Sequence, residues 1–97
     1  MDKKLLKYLR KMKKDFPLTL PVRVRICTKL VDHTGHEIYG TCWQYETHSK
    51  IKIVKHEDVC VQIDTLWHEW THLLLWPRCK FRHSKAFWAQ YGKIYSF

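Results

Sequence analysis

No stretch of this chain approaches the roughly 18–20 apolar residues needed to cross a bilayer. Its opening segment, MDKKLLKYLRKMKK, is charged throughout and lacks the apolar run of a secretory leader. The sequence therefore predicts an intracellular, cytoplasmic protein with no membrane partner. Glycine and proline are scarce, with three of each in 97 residues, while 45% of the chain is apolar. Collagen-like and low-complexity disordered classes are excluded by that balance. The four cysteines, Cys27, Cys42, Cys60 and Cys79, form no CxxC pair. A zinc ribbon or thioredoxin-type motif is thus unsupported, and free structural thiols are expected rather than disulfides. Acidic residues are also few: nine Asp and Glu stand against 18 Lys and Arg, for a net charge of +9.

What is present reads as one domain over residues 1–97, with room for a modest core that a bound metal would help to stabilise. Leu5, Leu9, Met12 and Phe16 recur at helical spacing among lysines. They predict an amphipathic helix from Asp2 or Lys3 to Asp15, stopped by Pro17 and Pro21. Seven cations fall between Lys3 and Lys14. They suit either a solvated helix face or a non-specific nucleic-acid partner bound through phosphates, with no aromatic–basic interleaving of the RNA-binding kind.

Val22, Val24, Ile26, Thr28 and Leu30 alternate with more polar residues, as in a half-buried strand. Asp32 to Gly35 supplies a turn. A second strand is predicted from about Glu37 to Glu46, with Tyr39, Thr41, Trp43 and Tyr45 on one face, and a third from Lys50 to Lys55. The segment from Glu57 to Trp76 is helical in pattern, with Glu57 and Asp58 favouring its start and Pro77 forcing its stop. Ser84 is a candidate N-cap for a last helix reaching about Tyr95. The fold class is α+β: helix, three-stranded small sheet, helix, helix, with the helices on one face of the sheet.

The chemically informative residues are His68-Glu69-Trp70-Thr71-His72, an HExxH motif. Residues four apart on a helix share a face about 6 Å apart along the axis, which suits two imidazoles on one metal ion. Glu69 is rotated away from the metal but within reach of a water beside it. Zinc would make that water acidic, Glu69 would accept its proton, and the leaving amine would receive it. A catalytic zinc takes three protein ligands and leaves a fourth position open. Cys79 and His83 both follow the helix as candidates for the third. His83, one residue before the Ser84 cap, is favoured because a helix start holds a ring more rigidly than mid-loop does. Asp64, one turn before His68, is a candidate to orient a ligand, and Tyr91 or Tyr95 to donate to an oxyanion, although core packing suits both tyrosines. His33, His36, His48 and His56 read as surface residues.

The stretch Asp64-Thr65-Leu66-Trp67-His68-Glu69-Trp70-Thr71-His72 resembles the active helix of SprT-like and YgjP-like zinc metallopeptidases. His83-Ser84-Lys85-Ala86-Phe87-Trp88 is similar to the segment that brings their third histidine, and Tyr91 to Tyr95 resembles the ending of small phage-type members. The likeness covers about residues 50–97. It implies a minimal zincin-like domain with one zinc ion at His68, His72 and His83, Glu69 as general base, and a protein or peptide substrate. It also implies that the strand before the active helix, Lys50 to Lys55, forms the cleft rim. A zinc-dependent nuclease is an alternative, but the endoribonucleases with three zinc-binding histidines lack a glutamate directly after the first. A catalytically idle, zinc-stapled domain that binds nucleic acid or another polyanion is a further alternative.

Overall fold

The computed structural model describes residues 1–76 and 83–95 as three helices and a three-stranded sheet, an α+β arrangement. Helix α1 spans Lys3–Asp15, and the Asp2 carboxylate accepts from the Lys4 N–H to cap it. Leu5, Leu9 and Met12 point inward, while all seven of its cations are exposed. Burying each of these apolar side chains contributes about 1.5–3 kcal/mol, and this, rather than helix propensity, holds α1 in place.

Strands β1 (Val22–Cys27), β2 (Gly40–Gln44) and β3 (Ser49–Val54) assemble in the spatial order β1-β3-β2. β3 runs parallel to β1 and antiparallel to β2. The first two strands are shorter than the alternating pattern predicts. Beyond Cys27 the chain leaves the sheet and folds on itself, with Ile38 donating to the Leu30 carbonyl and Val31 bridging Glu37. The Asp32 carboxylate closes this loop by accepting from the Thr34 and His36 N–H groups. Gly35 allows the reversal at a φ of 88°, where a side chain would be strained. At its other end β2 stops because Tyr45 enters the turn, donating to the His48 carbonyl at 2.8 Å.

Helix α2 spans Val59–Leu74, beginning after Glu57 and Asp58 because the Asp58 carboxylate serves as its N-cap, accepting from Cys60. Ile63, Leu66, Trp70 and Leu73 on α2 pack with Leu5, Leu9 and Met12 of α1 over Ile51 and Ile53 of β3. Trp70 is fully buried, and its indole N–H donates to the Phe16 carbonyl at 2.8 Å, tying α2 to the end of α1. Helix α3 (Lys85–Tyr95) packs on α2 alone among the described elements, through the buried side chains of Phe87 and Ile94. No helix among the described residues is long and apolar enough to cross a membrane. The predicted stop at Pro77 and the candidate ligand Cys79 lie outside the described residues, as does the side chain of Tyr95.

Candidate metal centre

His68 and His72 stand one turn apart on α2, and His83 immediately precedes the start of α3. The structure brings all three together. The Nε2 atom of His83 lies 3.0 Å from that of His68 and 3.2 Å from that of His72. Hydrogen bonding cannot satisfy this cluster, because a ring nitrogen offers one N–H or one lone pair, and the His83 Nε2 faces two neighbours. A metal ion can. Ligand nitrogens at about 2.0–2.1 Å from a tetrahedral zinc lie about 3.3 Å from one another, close to both observed spacings. The three residues form the one group of His, Cys, Asp and Glu side chains among the described residues that could hold a metal ion.

The surroundings suit neutral imidazoles. His72 is buried and His68 half-buried. Burial, then repulsion from His72 and His83, holds the His68 pKa down at about 4. A metal takes imidazole in its neutral form, so His68 bears little cost of deprotonation at neutral pH. Beneath the rings lies Phe87, with its centroid 5.1 Å from that of His68, 4.6 Å from His72 and 4.8 Å from His83. Phe87 is fully buried and forms an apolar floor under the donor set. Its helical spacing marked it only as a core residue.

Glu69 is not part of the cluster. Its carboxylate is buried, 8% exposed, and burial pushes its pKa up to about 7. The Cys42 thiol of β2 donates to it, opposing that shift, and burial together with the Glu69 charge pushes the thiol's own pKa well up. Nothing in the spacing of the cysteines singled out Cys42. Its partnership with Glu69 arises because β2 lies directly against α2. Gly40 permits that approach: a Cβ there would stand 2.3 Å from the Thr65 Cγ2 and 3.1 Å from the Lys52 carbonyl oxygen.

A cleft of about 430 Å³ opens beside His68 and Glu69, walled by Glu37, Ile38, Tyr39, Asp64, Thr65 and Tyr91. Asp64 forms part of this wall, and no hydrogen bond joins it to a histidine among the described residues. Tyr91 lines the cleft while its ring stacks on Phe87, 6.0 Å between centroids. His33, His36 and His56 are exposed, away from the cluster, and His48 is half-buried in the hairpin turn. The His56 Nδ1 accepts from the Asp58 N–H, supporting the start of α2.

The cleft rim differs from the expectation. β3 is the central strand, paired on both sides, so Lys50 to Lys55 presents no open edge. β2 is the edge strand on the side of the site, and no strand among the described residues pairs with its outer side. Tyr39 accepts from Val54 and Tyr45 donates to His48, so the odd-numbered residues of this strand bond to β3. The N–H and C=O groups of Gly40, Cys42 and Gln44 therefore point out of the open edge.

No protein-family model matches the chain, and none of the curated proteins or solved structures compared with it does either.

Proposed function

We propose that this protein is a zinc metallopeptidase with a minimal zincin-like fold, akin to the SprT-like and YgjP-like enzymes that its two motifs resemble. One observation carries the reading: three imidazole nitrogens converge on one point, and one of these rings, His68, lines a cleft together with the buried carboxylate of its neighbour Glu69. His68, His72 and His83 hold the metal, and the all-nitrogen donor set with room for a fourth ligand suits zinc. When bound, zinc supplies Lewis acidity that activates a water and polarises a carbonyl.

The chain's own residues do the rest. Glu69 accepts the proton of the attacking water and returns it to the leaving amine, breaking the C–N bond. The Cys42 thiol donates to this carboxylate, and Glu69, unlike Cys42, lines the cleft in which the exchange takes place. The outward backbone groups of Gly40, Cys42 and Gln44 bind an extended peptide by strand addition, which lays the scissile bond along the cleft. Tyr91, on the cleft wall with its ring centroid 6.3 Å from that of His68, is placed to donate to the developing oxyanion.

A digest of a random peptide library by the zinc-loaded protein, read by mass spectrometry, tests the reaction. Glu69→Gln is expected to abolish cleavage while zinc content and fold persist, because Glu69 touches the water and not the metal. A loss of less than about tenfold would remove Glu69 from general-base work. Zinc loss in the variant would make it a ligand instead. A wild type that cuts no peptide but cuts RNA would turn the reading to the nuclease. One that keeps zinc and cuts neither would leave a zinc-stapled binding domain.

A further inference from the structure

The helices cover one side of the sheet. On β2, Gly40 and Cys42 meet Thr65 and Glu69 of α2, so the alternate residues Thr41 and Trp43 belong to the other face. By the same alternation β1 contributes Arg23 and Arg25 to that face, both exposed between the half-buried Val22, Val24 and Ile26. Lys50 and Lys52 join them, half-exposed between the buried Ser49, Ile51 and Ile53 of β3.

The register then decides what this face is. Arg23 pairs with Lys50 and Arg25 with Lys52 across the β1–β3 ladder. Across the β3–β2 ladder, Lys50 pairs with Trp43 and Lys52 with Thr41. Two rows result, Arg23–Lys50–Trp43 and Arg25–Lys52–Thr41, with Tyr45 just beyond the end of β2. None of the three strands contains an acidic residue. Like charges side by side on neighbouring strands repel, so this block costs stability on its own and gains it only against a polyanion. Beside the cations stand two large aromatic side chains: Trp43 is 40% and Tyr45 is 47% exposed. Trp43 also meets Trp76 edge to face at 5.0 Å, and Tyr45 stacks on His48 at 4.9 Å, so both rings are held in place before any ligand arrives.

We propose that this sheet face, which no helix among the described residues covers, is a docking surface for single-stranded nucleic acid. Phosphates lie over Arg23, Arg25, Lys50 and Lys52, and unpaired bases stack on Trp43 and Tyr45. Duplex is disfavoured because its bases are already stacked within the helix and cannot reach the rings. An acidic peptide would use the cations and leave the aromatics idle. Helix α1 offers cations alone, since its one aromatic residue, Tyr8, is half-buried against Trp67, 5.6 Å between ring centroids.

Fluorescence anisotropy with the full chain and labelled twelve-nucleotide oligothymidylate and oligouridylate tests the proposal. The double variant Arg25→Glu/Lys52→Glu is expected to weaken binding by at least about tenfold at low salt and to flatten the salt dependence. Trp43→Ala and Tyr45→Ala should each weaken it by about fivefold or more with the salt slope retained, and Trp43→Phe should restore most of the loss. Tyr45→Ala leaves the Trp43–Trp76 contact intact, so it tests stacking even where Trp43→Ala disturbs the fold. Thermal unfolding and circular dichroism identify any variant that is misfolded. Reversing Lys7 and Lys11 on α1 should change affinity by less than about threefold. Several results would overturn the assignment: unchanged binding by the sheet double variant, a loss confined to the α1 variant, or both aromatic variants binding like wild type. A duplex of equal length that binds as tightly would overturn it as well, and so would an oligoglutamate peptide that competes on equal terms.

Discussion

At the scale of single residues, the candidate centre depends on two contacts from opposite directions: His83 arriving from the start of α3, and Cys42 reaching Glu69 from β2. His83 closes the donor set, so His83→Ala is expected to reduce zinc affinity by at least about tenfold, while Cys79→Ser leaves it nearly unchanged. X-ray absorption of the zinc-loaded protein should show only nitrogen and oxygen neighbours near about 2.0–2.1 Å. A sulfur shell near about 2.3 Å would transfer the third position to a cysteine. The HExxH spacing made His68, Glu69 and His72 legible because a helix converts an interval of four into a shared face. Cys42 and Phe87 were not legible as site residues. A thiol that donates to a carboxylate and a ring that underlies imidazoles carry no local mark that separates them from ordinary core residues.

Among the elements, the contact that shapes the cleft is β2 against α2. Gly40→Ala would push a methyl group into the Thr65 Cγ2 with the Lys52 carbonyl close behind, and neither a β-branched side chain on a helix nor the backbone of the central strand can yield cheaply. The expected cost is about 1–3 kcal/mol, measured by urea denaturation, with lower activity as β2 and Cys42 move from Glu69. Adding Thr65→Ser, which deletes the offending methyl while keeping the hydroxyl bond to the Val61 carbonyl, should recover most of the stability. A Gly40→Ala protein as stable as wild type would mean that the approach is looser than these distances. The helices were largely readable from apolar spacing and caps, α1 almost to the residue. The strands were readable in kind but not in length or order. A period of two states that a segment is extended; it does not say when the chain leaves the ladder to pair locally, as Leu30 and Ile38 do.

For the whole molecule, α3 is attached through α2 alone among the described elements, and the three histidines lie on that junction. A bound metal would fasten the two helices. Zinc at about a hundredfold above its dissociation constant is expected to stabilise the fold by about 2.7 kcal/mol, read as a rise in Tm that a chelator reverses. Slower amide exchange should be concentrated in α3, and His83→Ala should lose both effects. Equal exchange in α3 with and without zinc would show that the site does not clamp the helix. The excess of positive charge also takes its meaning at this scale. Along the sequence, the cluster in α1 is the conspicuous one, and its one aromatic residue, Tyr8, is half-buried. In the fold, Arg23, Arg25, Lys50 and Lys52 gather beside Trp43 and Tyr45, a combination assembled only by strand pairing.

By itself the sequence determined the α+β class, the extent of α1, the HExxH face of α2 and the absence of an apolar span. Each of these is encoded over a few consecutive turns or strand residues, where periodicity and capping act locally. The tertiary structure alone decided that β3 is central and β2 the open edge. It also decided that cations from two strands share one face with aromatic rings, and it brought His83, which the sequence had favoured over Cys79, to His68 across fifteen residues of chain. These outcomes depend on which surfaces bury the most apolar area together, a comparison among distant segments that no local pattern encodes.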